Sequence, residues 1–103
     1  MAKLSLIPNP TFNAKVDIPL PGGQTSEVLF TFKHRTRDAL AEWVKVDQKD
    51  VDAIIDAATG WDLTDEFNAK NVEKLCQNYM GTLTAFMKTY IGELTGLTKG
   101  GHA

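Results

Sequence analysis

Between residues 12 and 32 the chain alternates. Phe12, Ala14, Val16, Ile18 and Leu20 are separated by Asn13, Lys15, Asp17 and Pro19, and further on Val28, Phe30 and Phe32 stand among Glu27, Leu29, Thr31 and Lys33. A period of two puts the apolar side chains of each segment on one face of a strand. The run Pro21-Gly22-Gly23-Gln24-Thr25-Ser26 between them is a dense turn signal, so the pair is predicted to form a β-hairpin over about residues 11–34. Pro19 and Pro21 donate no ladder hydrogen bond, which puts the end of the first strand at a sheet edge or a bulge. Two strands are marginal in water on their own. The rest of the chain therefore has to cover that apolar face or hide it elsewhere.

Helical spacing follows. Thr36 is placed to cap a helix carrying Leu40, Trp43 and Val44 on one side, with Asp38 near its positive end. Asp47 is placed to cap a second, in which Val51, Ile54, Ile55 and Ala58 keep the i, i+3, i+4, i+7 pattern and Gly60 is the expected stop. The polar run Gly60–Phe67 reads as a connector. Asn68 is the expected cap of a third helix, with Phe67 and Val72 at the positions of a hydrophobic staple and Leu75, Cys76 and Tyr79 continuing the stripe. Gly81 interrupts. A last helix carries Leu83, Phe86, Met87, Tyr90, Ile91 and Leu94 before Gly96, and residues 97–103 read as a frayed, flexible tail. Strands first and helices after predict a single α+β domain: an N-terminal hairpin, a helical part over about 36–96, about four helices in all. Periodicity leaves open whether the helices cover the hairpin or form a bundle from which it projects as an arm.

Composition narrows the function classes. At 103 residues, 43% hydrophobic and 23% charged, the chain has the usage of an ordinary globular domain with one core. A net charge of -2 provides no summed positive field for nucleic acid or an anionic membrane. Cys76 is the single cysteine, so neither an internal disulfide nor a thiolate zinc site is expected. The opening MAKLSLIPNPTF, one lysine and then prolines, does not read as an export signal, and the apolar runs are too short to span a bilayer. A reducing cytosol is the expected setting.

Catalysis needs a nucleophile, a base and something to orient them, or a metal with ligands. Here the histidines are His34, at the end of the second strand, and His102, in the tail. Cys76 lies on an apolar stripe, where a thiol behaves as a small inert hydrophobe. Asp52 and Asp56 share a helical face opposite Val51, Ile54 and Ile55, which points both into solvent, and the acids of the connector lack the arrangement of a calcium loop. Gly22-Gly23 and Gly100-Gly101 match no phosphate-binding pattern. Lys33, His34, Arg35 and Arg37 form one small basic cluster without interleaved surface aromatics, a solvated junction or a patch for an acidic protein. No catalytic residue, metal or cofactor is expected.

The aromatics are more informative. Phe30, Phe32, Trp43, Phe86 and Tyr90 belong to inward stripes and are expected in the core. Trp61, Leu63 and Phe67 sit in or beside a polar connector, and large apolar side chains there have to find cover. They either fold back as a lid on the helices or meet a neighbouring subunit as interface anchors.

Three stretches together carry a resemblance: SLIPNPTFNAKVDIPLPGG, the junction FTFKHRTRDALAEW, and DAATGWDLTDEFNAKNVEKLCQNY followed by FMKTYIGELTG. In this order they resemble the small tail assembly chaperones of long-tailed bacteriophages. That resemblance implies a non-enzymatic protein of the host bacterial cytoplasm, absent from the mature virion, that keeps the tape measure protein soluble before tail-tube subunits polymerise around it. It also implies self-association into a ring or spiral. A longer product of a translational frameshift would recruit the tail tube protein, with Gly100-Gly101-His102-Ala103 as the unshifted ending. The expected protein interface is Trp61, Leu63 and Phe67, with Trp43 as a further candidate; neither nucleic acid nor membrane is an expected partner. The competing readings are a structural tail protein and a nucleic-acid-binding regulator using Lys33 to Arg37.

Overall fold

A computed structural model describes residues 4–96. The expected tail over 97–103, with His102 and Gly100-Gly101, lies outside the described residues. Strand β1 (Thr11–Pro19) and strand β2 (Thr25–Lys33) form the expected hairpin, with Ala14 opposite Phe30 and Val16 opposite Val28. Because the register pairs like with like, Ala14, Val16, Ile18, Val28, Phe30 and Phe32 all lie on one buried face. Gly22 and Gly23 turn the chain at φ of 89° and 82°. A Cβ at either would meet nothing, so what asks for glycine is the backbone and not the space.

Helix α1 (Arg37–Trp43) begins as anticipated, with the Thr36 side chain accepting from the Ala39 N–H. Helix α2 does not. It runs Asp50–Ala57 behind Lys49, which makes no side-chain cap, so Asp47 is not its cap. The end of α1 runs on as tight turns, Lys45 N–H to the Glu42 carbonyl and Val46 N–H to that of Trp43, which moves the start of α2 along the chain. Asp50 and Asp52 occupy its first turn and oppose the positive end of the dipole without a cap. The same tightening leaves Val44 outside the stripe and exposed.

The larger departure follows. Ala58 and Gly60, expected as the end and stop of α2, belong to a short strand β3 (Ala58–Trp61) antiparallel to β2. Thr31 faces Gly60 and Phe32 faces Ala58, so Thr59 is the extra residue of a bulge. Asp62 lengthens the pairing by one step: its N–H donates to the Leu29 carbonyl at 3.0 Å, and its carboxylate Oδ1 accepts from the Leu29 N–H at 3.0 Å. The sheet order β1-β2-β3 leaves β1, with its Pro19, at an edge.

Helix α3 (Ala69–Asn78) is capped by Asn68, whose Oδ1 accepts from the Asn71 N–H at 2.9 Å, and helix α4 (Thr82–Thr95) closes the described chain. These helices do cover the hairpin. Phe86 and Tyr90 of α4 are fully buried against it, together with Ile54 of α2 and Val72 of α3. Phe86 stands edge-on to Phe30 at 5.1 Å, while Tyr90 stacks on Phe32 at 5.1 Å. At the other end of the helix a side chain on Gly81 would press on the Pro19 ring, 2.9 Å from Cγ, so α4 and β1 approach as closely as glycine permits.

Candidate protein interface

One polar network ties the elements together. Arg35, just past β2, donates to the Tyr90 hydroxyl at 2.7 Å and to Asp56 Oδ2 at 2.8 Å. Asp56 also accepts from Trp43 Nε1 at 2.7 Å, and Tyr90 donates to the Lys33 carbonyl at 2.8 Å. The guanidinium lies 4.5 Å over the Trp43 ring. Two expectations change here. Asp56 does not simply face solvent as Asp52 does, and Arg35 is withdrawn from the basic cluster that includes Lys33, His34 and Arg37. Trp43, 8% exposed and edge-on to Tyr90 at 5.4 Å, offers a partner little surface.

Trp61, Leu63 and Phe67 are another matter. Trp61 faces Phe30 across the β3–β2 pair, so its ring lies on the core side of the sheet, 5.9 Å from Phe30 and nearly perpendicular to it. It is last in an edge strand and half-buried. Phe67 stands edge-on at 5.1 Å, and Trp61 Nε1 donates to the Asp65 carbonyl at 2.7 Å, which closes the connector back on the ring. Asn71 Nδ2 donates to the Glu66 carbonyl at 2.7 Å and holds the other side. Trp61 and Phe67 thus pack as a half-buried lid, while Leu63 stays outward at 37% exposure.

An open cleft of about 280 Å³ is lined by Trp61, Leu63, Leu75 and Tyr79 together with Asp65, Asn71, Lys74 and Asn78. Periodicity puts Tyr79 on the stripe of the third helix. It is instead the C-cap, with φ of -129°, and it shares the outward position of Leu63; Met80 beyond it is exposed as well. The signal for this was Gly81: a break immediately after Tyr79-Met80 releases both from the helical face.

On the other side of Met80 a furrow of about 560 Å³ runs between α2 and α3 past Val51 and Cys76. Burial, and then the nearby Asp50 and Glu73 carboxylates, push the Cys76 thiol up from 9.0 to about 11. It is a thiol at neutral pH and not a nucleophile. Burial likewise raises Tyr90, against the opposing hydrogen bond and charge of Arg35. Both are neutral acids that the fold keeps protonated. Their contribution to stability is whole below pH 9.0 for Cys76 and 10.0 for Tyr90, the ordinary values, and is lost as pH rises beyond them. Alkylation of Cys76 at pH 8 is expected to run about 100-fold slower than in the unfolded chain, and the melting temperature to fall between pH 9 and 11. Equal alkylation rates in the two states would show the thiol to be open.

Among the described residues no three His, Cys, Asp or Glu side chains gather as metal ligands, and no helix is long and apolar enough to cross a membrane. The family model for phage tail assembly chaperones matches residues 1–100. The chain belongs to that family. No curated protein and no solved structure matches it. Membership in a family of assembly chaperones gives the chain a protein partner in tail assembly and indicates a role other than catalysis.

Proposed function

We propose that this chain binds the tape measure protein of its phage and keeps it soluble until tail-tube subunits polymerise around it, doing so in the host cytoplasm and leaving before the virion is complete. Its membership in the tail assembly chaperone family carries the reading. A tape measure is a long, largely helical chain whose apolar stripes lack partners until the tube encloses it, so they have to be covered reversibly. The cleft lined by Leu63 has the volume for one or two large apolar side chains, and the half-buried rings of Trp61 and Phe67 make a firm wall for them. Many weakly bound copies along one client gain avidity from contacts with one another, which is the use of self-association into a ring or spiral. A frameshifted longer form would add contacts to the tail tube protein.

Co-expression with the tape measure protein of the same phage tests this. The expected result is a soluble complex containing both chains, where the tape measure expressed alone is insoluble. A tape measure that stays in the pellet, with the chaperone alone in the supernatant, overturns the reading.

A further inference from the structure

Two apolar features lie outside the cleft. Leu4, Leu6 and Ile7 are 92%, 94% and 84% exposed, an arm without cover ahead of β1. The Ser5 hydroxyl donates to the Ile7 carbonyl at 2.8 Å and accepts from the Ile7 N–H at 3.2 Å, which bends the arm, and Pro8 and Pro10 stiffen its root. The His34 N–H, donating to the Pro10 carbonyl at 2.8 Å, pins that root to the sheet. The second feature is the flank of α4 beside its buried stripe. Leu83, Met87 and Ile91, at successive i, i+4 positions, line an open furrow of about 550 Å³ whose wall is mostly carbon.

We propose that the arm of one copy lies in the α4 furrow of a second copy, and that the two copies exchange arms reciprocally. This rests on the self-association in the reading above and assigns a surface to its first step, a closed pair; a ring or spiral built from such pairs needs a second contact. Three observations select the occupant. The arm from Leu4 to Pro10 has no charged side chain, and Lys88 is the single charge at the furrow, so the two surfaces match in polarity. Phe12 stacks on Tyr90 at 6.3 Å while Gly81 abuts Pro19, so α4 runs antiparallel to β1 and its last turns stand beside the root of the arm. Copies that meet at this end bring each arm to the other's furrow. Drawn out of its Ser5–Ile7 bend the arm reaches about 20 Å, and Leu83 to Ile91 span about 12 Å of helix, so an arm that opens this bend on docking covers the whole face. Area explains the reciprocity. Three aliphatic side chains against a matching furrow bury on the order of 600 Å² counting both sides. Two such contacts reach about 1,200 Å², where stable interfaces begin.

Sedimentation equilibrium of the full chain from about 5 to 200 µM tests this, together with Leu6→Asp in the arm and Met87→Asp in the furrow. The expected result is a concentration-dependent dimer or a multiple of it for the parent. Each variant alone is expected to dissociate at least tenfold more readily, with Leu6→Asp melting at the temperature of the diluted, dissociated parent. Equal mixing of chains carrying only Ile7→Cys with chains carrying only Met87→Cys, both with Cys76→Ala, is expected to give an oxidised cross-linked pair. A parent that is monomeric throughout, association indifferent to both aspartates, or no cross-link overturns the proposal. Client binding is scored separately. Monomeric Leu6→Asp that still holds the tape measure in solution leaves both readings standing, whereas an arm-exchanged parent that fails to hold it removes the client and retains the exchange.

Discussion

Tyr90→Ala is expected to cost about 3–5 kcal/mol of unfolding free energy, and Tyr90→Phe about 1–3 kcal/mol. The ring is fully buried, stacked on Phe32 at an interplanar angle of 14° and on Phe12 at 8°, with Trp43 edge-on to it, so alanine leaves a cavity at the junction of β1, β2, α1 and α4. Phenylalanine keeps that packing and removes only the hydroxyl. The Lys33 carbonyl then loses its donor and Arg35 one acceptor, while Arg35 retains Asp56. For a domain of this size each kcal/mol moves the melting temperature by about 4–8 °C, so the phenylalanine variant stays folded and measurable. A total stability of about 5–15 kcal/mol leaves the alanine variant at the margin. Urea titration of parent and both variants reads the difference. A Tyr90→Phe protein as stable as the parent would mean that water replaces the hydroxyl, and that the network is not sealed.

The second large effect concerns function and not stability. Leu63→Asp is expected to lower affinity for the tape measure at least tenfold, which is about 1.4 kcal/mol or more, with a melting temperature within a few degrees of the parent. Leu63 lies outside the core cluster and is 37% exposed at the cleft, so a carboxylate there reaches water in the free chain and has to be desolvated against an apolar client. Trp61→Ala is a poorer probe. It removes the edge contacts to Phe30 and Phe67 and the hydrogen bond to the Asp65 carbonyl, so it weakens the fold as well as the cleft. Pull-down of the co-expressed client, with thermal melts of the same preparations, separates the two effects. Parent-like yields of soluble client with Leu63→Asp would move the client site away from this corner.

Comparison of the two aromatic groups shows how far local pattern reaches. The alternation from Phe12 to Phe32 was sufficient for the hairpin and its buried face, because a register error by one residue would turn the three inward side chains of one strand to water. Thr36 and Asn68 were legible as caps because capping is settled within three residues. Asp47 failed for a complementary reason: its position is right only if α1 ends cleanly, and the turns after Trp43 are a packing outcome. Trp61 and Phe67 were legible as side chains in need of cover. That their cover would be each other and Phe30 depended on β3, four residues that show no period of their own and that exist because β2 offers an unpaired edge.

From the amino acids alone came the strand faces, the helical stripes, two of the caps, the fold class and a family resemblance that the family model supports. These are properties of short windows and of their order. Tertiary structure alone decided the third strand, the laying of α4 along β1, and the joining of Arg35, Asp56, Trp43 and Tyr90. It also decided which apolar side chains stay outside. The hydrogen bonds concerned link residues 13 to 57 apart in the chain, and whether such partners meet depends on how every intervening element packs.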